Sequence, residues 1–140
     1  MRLFPLLAIP VLIYSLLALA NGGAEPATQN FLNHVVTTIP MMSKQAWEIH
    51  VSDLVLLLTL FFLFFEVVKS TRTSTRQIIN HGLSMLTFIV ALIEFIVLPG
   101  FATSTFFLIL TMTLFDVIGG YTISIVAAEH DIGVGRARDD

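Results

Sequence analysis

The chain has no cysteine, which excludes disulfides, a thiolate nucleophile and thiolate metal sites. It is also poor in charge. Only 12% of its 140 residues are Asp, Glu, Lys or Arg, about half of the ~25% usual in soluble domains. A conventional soluble fold is excluded in turn, because 56% hydrophobic residues are more than the interior of so small a domain can hide. No basic patch interleaved with aromatics is present, so nucleic acid is not an expected partner. Catalytic signatures are missing as well: there is no H-E-x-x-H, no G-x-S-x-G and no phosphate-cradling glycine loop. His50 and Asp53 stand one helical turn apart with Glu48 and His34 near in sequence, and Glu129-His130-Asp131 lies in the tail. Neither set has the closely spaced histidines of a zinc site. The expectation is a non-enzymatic chain without metal or cofactor.

What the chain does have is four apolar stretches, and a lipid bilayer is the solvent that fits them. Residues 3–20, 51–68, 78–98 and 106–128 are each read as a transmembrane helix. At 1.5 Å per residue these cover about 27 to 34 Å, close to the ~30 Å hydrocarbon layer. The first stretch has two readings. It is either a retained span or a signal peptide, since Ala18-Leu19-Ala20 resembles a small-residue cleavage site. Pro5 and Pro10 interrupt it, and Pro10 is expected to kink a helix by removing a donor. Residues 21–26 form a glycine-containing linker. Over residues 28–39, Phe31, Leu32, Val35, Val36 and Ile39 fall on one helical face, with Gln29, Asn30, Asn33, His34, Thr37 and Thr38 opposite. The spacing predicts a short amphipathic helix in the outer interface, ended by Pro40. Ser43 is read as a cap for the next helix, beginning near Lys44, with Trp47 as an interfacial anchor. Gly133 is a plausible stop for the last helix, ahead of a tail over residues 129–140.

Orientation follows from segregated charge. Lys69, Arg72 and Arg76 sit in one loop with no acid, and Arg2, Arg136 and Arg138 fall on the same side, leaving Lys44 alone opposite. The positive-inside rule then puts both termini in the cytoplasm of a cell whose inner membrane holds the chain, provided residues 1–20 are retained.

Four polar residues inside the spans are the candidates for chemistry: Glu66, His81, Glu94 and Asp116. With the loop between the second and third spans centred at about residue 73.5, Glu66 lies level with His81, and Asp53 with Glu94. Glu66 can reach Lys69 at i+3 or pair with His81. In the second span Ser52, Thr59 and Glu66 recur every seven residues, a packing seam. Ser84, Thr87, Ala91 and Glu94 share a face of the third, with His81 one turn earlier. In the fourth, Asp116, Gly120, Ser124 and Ala128 recur at i+4, a stripe that admits another backbone, and Gly119 joins Gly120 as a packing residue. Asp116, nearest mid-membrane, is expected level with Thr87 and hydrogen-bonded to such a hydroxyl, because an ionised carboxylate there costs about 2.5–3.5 kcal/mol.

The Phe64-Phe65-Glu66 segment, the basic loop and His81-Gly82-Leu83-Ser84, with residues 103–107 and 116–120, resemble small uncharacterised four-span inner-membrane proteins of proteobacteria. A local likeness to the phosphate-starvation-inducible PsiE family rests on a span ending in aromatics and Glu that leads through a basic loop into the next. The resemblance implies the four-span architecture and carries over no functional residue. The expected fold is all-α: one integral membrane domain over residues 1–140, an up-down-up-down bundle of four transmembrane helices with a short interfacial helix. The leading expectation for function is an accessory, assembly or interaction subunit whose partners are the lipid bilayer, copies of itself or other membrane subunits. The alternative is a proton-linked channel or transporter protomer using Glu66, His81, Glu94 and Asp116.

Overall fold

The computed structural model describes residues 4–70 and 75–136, and the side chains of these except 75–78, 124 and 127–136. The described chain is mostly helical: α1 Ala8–Ala20, α2 Glu25–Leu32, α3 Val51–Ser70, α4 Thr75–Val97 and α5 Ser104–Arg136, with β1 Val35–Pro40 and β2 Ala46–His50 between α2 and α3. Three helical segments, Val51–Ser70, Ile79–Val97 and Ser104–Ile123, are long and apolar enough to cross a membrane, and α1 with α2 makes a fourth if that bent pair is one span.

α1 is shorter than the stretch that predicts it. Residues 5–7 form a turn and the helix begins at Ala8, so Pro10 falls in the first turn, where a missing N–H costs little and no kink is needed. Its C-terminus closes in a Schellman pattern: Gly23 N–H donates to the Ala18 carbonyl and Gly22 N–H to the Leu19 carbonyl. Gly22 and Gly23 both take positive φ, 88° and 66°, a conformation that glycine adopts without Cβ strain. The chain therefore turns by 116° into α2, which buries Thr28 and Leu32.

The segment expected as an interfacial helix over residues 28–39 is instead half helix and half strand. α2 stops at Leu32, and β1 pairs antiparallel with β2, Ile39 opposite Trp47 and Thr38 opposite Glu48. Val35, Val36, Thr37, Thr38 and Ile39 are five consecutive β-branched residues, which lose rotamer freedom in a helix and pack well on a pleated surface. A helical spacing of apolar residues loses to that run once a partner strand is available. The same pairing removes the helix expected from Lys44. Lys44 sits in the hairpin loop with φ 64°, so Ser43 caps no helix, and α3 starts at Val51. At the other end of the chain α5 runs through Gly133 to Arg136. A helical glycine costs only about 1 kcal/mol and does not by itself end a helix.

α5 is the central helix, packed along both α3 and α4, while α1 touches all three. The core gathers where α1 meets the turn between α4 and α5. That turn is a single 3-10 element, Pro99–Phe101, and Tyr14, Phe101 and Phe106 cluster there with ring centroids 4.7 to 5.5 Å apart. The fully buried Tyr14 hydroxyl donates to the Gly100 carbonyl at 3.3 Å and shares a hydrogen bond with the Thr103 hydroxyl. Thr103 in turn accepts the Phe106 N–H at 3.2 Å, capping α5. Gly100 is required by contact: a Cβ there would stand 2.9 Å from the Gly23 carbonyl oxygen. Tyr14→Phe keeps the ring packing and orphans these partners. It is expected to cost about 1–2 kcal/mol, read as a lowered thermal midpoint in mild detergent with helical content unchanged at low temperature.

Candidate functional site

The seam residues of α3 point inward as their spacing requires. Thr59 and Glu66 are buried and Ser52 half-buried, while Phe61, Phe64 and Phe65 are exposed. Glu66 is only 1% exposed and is the hub of a polar network. Its Oε1 accepts from Asn80 Nδ2 at 2.6 Å and from Lys69 Nζ at 3.1 Å, and its Oε2 accepts the Leu6 N–H at 2.9 Å. Lys69 also donates to the Asn80 Oδ1 at 2.9 Å and to the Phe4 carbonyl at 3.0 Å. One carboxylate thus joins the end of α3 to the turn ahead of α1 and to the second turn of α4. The pair is charge-compensated and hydrogen-bonded on every side, the condition for a buried ion pair to be tolerated.

The expected reach from Glu66 to Lys69 is present, but the partner on α4 is Asn80 rather than His81. One residue along a helix is a rotation of about 100°, which turns His81 toward α5. There its ring lies 5.4 Å from that of Tyr121, and a Cβ on Gly120 would come within 2.5 Å of its Nδ1. Gly120 therefore makes room for the His81 ring, a side chain rather than the neighbouring backbone expected there. Gly119 does not: nothing among the described residues lies within 4 Å of a Cβ built there. Ser124 and Ala128, the rest of that stripe, have side chains outside the described residues.

Asp116 is 4% exposed and faces Ser84 of α4 within electrostatic reach of Glu66 and Lys69. Ser84 is itself 3% exposed, and its hydroxyl stops short of a hydrogen bond of ordinary geometry. Thr87, expected opposite Asp116, instead donates to the Leu83 carbonyl at 3.0 Å. The tight Pro99–Phe101 turn shifts the level by almost one helical turn, from Thr87 to Ser84. Glu94 is not tied to Asp53. Its Oε1 accepts from Ser15 of α1 at 3.2 Å, and its buried Oε2 has no hydrogen-bond partner among the described residues. Asp53 caps the exposed start of α3, accepting the His50 N–H at 2.8 Å and meeting His50 Nδ1 at 3.4 Å. Among the described residues no three His, Asp or Glu side chains converge as metal ligands.

Spacing along single segments passes over two positions that hold segments together. Asn80 carries a detectable signal, a side-chain amide one residue from the level of Glu66. Tyr14 carries a weaker one, a lone hydroxyl-bearing aromatic in an apolar stretch. Two open clefts on the surface are lined by Leu57, Phe61 and Phe64 of α3 and by Phe95, Thr103 and Phe107 near the α4–α5 turn. Neither contains one of the four candidate side chains.

Removing Glu66 alone takes the counter-charge from Lys69 and the acceptor from the Leu6 N–H. Glu66→Ala is expected to cost about 3 kcal/mol, the low end for a broken buried pair because Lys69 keeps 26% of its side-chain exposure. Adding Lys69→Ala recovers part of the loss, measurable as a non-additive double-mutant cycle in thermal unfolding. Gly120→Ala should lose about 1–3 kcal/mol by overpacking against His81, whereas Gly119→Ala leaves the same midpoint unchanged.

No protein-family model matches the chain, nor does any curated protein or solved structure.

Proposed function

We propose that this is a small multi-pass inner-membrane protein that acts as a non-enzymatic accessory, assembly or interaction subunit. The observation that carries the reading is the way Glu66 is used. Its carboxylate takes donors from three segments of the chain and is neutralised by Lys69, which makes it an internal cross-link. Most of the remaining apolar surface of α3 and α4 faces outward, available to lipid and to neighbouring subunits. In this reading the first apolar stretch is a retained part of the bundle rather than a cleaved leader. In support, Leu6 and Phe4 supply backbone partners to Glu66 and Lys69, and Tyr14 ties α1 to the α4–α5 turn. The four segments run up, down, up and down, and the excess of Lys and Arg puts both termini in the cytoplasm.

A second reading, a proton-linked channel or transporter protomer, is favoured by a different observation. Among the described residues, one buried oxygen of Glu94 and the hydroxyl of Ser84 beside Asp116 have no hydrogen-bond partner. Purification in a gentle detergent followed by native mass spectrometry tests the first reading. Self-association or co-purified membrane subunits are expected, and a bare monomer without partners would remove it. Proton flux in proteoliposomes tests the second, which predicts a loss with Asp116→Asn or Glu94→Gln. Flux indifferent to both changes would leave only the subunit reading.

A further inference from the structure

The hairpin of β1 and β2 has two unlike faces. Opposed residues in an antiparallel pair share a face, and successive residues alternate. Ile39 with Trp47 and Thr37 with Ile49 lie on one side, while Thr38 with Glu48 and Pro40 with Ala46 lie on the other. Met41, two residues past Ile39, prolongs the first. Ile39, Met41 and Trp47 are all exposed, Trp47 by 52%. An apolar face this open sits on only two strands, and a lone two-stranded hairpin is marginal in water.

The base of the hairpin fixes where that face can go. β2 ends at His50 and α3 begins at Val51 with no linker. The join is locked by Val51 N–H donating to the His34 carbonyl at 3.1 Å and by the Asp53 cap on His50. The hairpin is therefore anchored at the point where an apolar 20-residue helix starts. Four residues separate Trp47 from Val51. An upright strand would lift the indole about 13 Å, clear of a headgroup layer only about 5–7 Å deep on each side. A hairpin leaning onto the surface keeps the indole at the headgroup level, where tryptophan is enriched. The only acid in the two strands, Glu48, is on the opposite face, so no charge has to be desolvated.

We infer that the Ile39–Trp47 face of this hairpin is a lipid-docking surface, seated at the headgroup–acyl boundary of the leaflet that α3 enters. It binds phospholipid rather than a protein strand. The inference rests on the membrane reading above and adds to it a β-structured contact with the bilayer.

The chain contains one tryptophan, so its fluorescence reports this face alone. The full-length protein is reconstituted into phosphatidylcholine–phosphatidylglycerol vesicles, some carrying bromines on the acyl chain just below the headgroup, and washed at alkaline pH. Blue-shifted Trp47 emission, quenched several-fold more by the brominated lipid than by aqueous iodide, is expected. Moving the reporter across the sheet with Trp47→Phe and Thr38→Trp should reverse that preference. Iodide-dominated quenching of the wild-type chain retained in vesicles would overturn the docking surface and leave the membrane reading intact. Shielding from both quenchers that disappears as protein is diluted in lipid would overturn it in favour of a second copy. Release of the chain by the alkaline wash would overturn both readings together.

Discussion

The Glu66–Lys69 pair ties the turn ahead of α1 to the end of α3, because Leu6, two residues before that helix begins, donates its N–H to the Glu66 carboxylate. Backbone groups that a turn leaves over need partners wherever they are taken out of water. Glu66 and Lys69 meet that constraint together. The carboxylate takes the Leu6 N–H, the ammonium takes the Phe4 carbonyl, and each neutralises the other. Asn80 then bridges the pair to α4. The start of α1 is held against the end of α3 by this one cluster.

A second fastening answers it at the far end. The Tyr14 hydroxyl reaches the Gly100 carbonyl and Thr103, and Gly100 lies against Gly23 at the bend into α2. The two fastenings use different chemistry. The first is ionic and supplied by side chains meeting a helix start. The second is aromatic packing with a hydroxyl completing the cap of α5. Between them the described helices are held mostly by apolar contact, with the Ser15–Glu94 hydrogen bond and the facing Asp116 and Ser84 as polar exceptions.

Much of the candidate site is legible in spacing. The seven-residue recurrence on α3 identifies Thr59 and Glu66 as inward, and the 3-4-3 pattern on α4 identifies Ser84 and Ala91, all of them buried. The i+4 stripe on α5 marks Asp116 and Gly120 as facing α4. What spacing does not resolve is which neighbour answers which. His81 and Asn80 differ by one residue, and Thr87 and Ser84 by three. A shift of the intervening turn by a residue or two reassigns both partnerships. Gly119 shows the same limit from the other side, since adjacency to a packing glycine does not put it on the packing face.

Local composition by itself determined the apolar helices and the inward faces of α3, α4 and α5, because burial periodicity is written residue by residue along one helix. It also placed Lys69 within reach of Glu66, a distance set by helix geometry alone. The tertiary structure decided everything that needs two segments at once. Val35–Pro40 became a strand because Ala46–His50 was there to pair with it. Glu66 chose Asn80 because α4 presents that face, and Tyr14 gained its role from a turn 86 residues away. A helical spacing of side chains is a property of one segment, whereas a ladder, a cap borrowed from another helix or a closed ion pair exists only once the partner has been brought alongside.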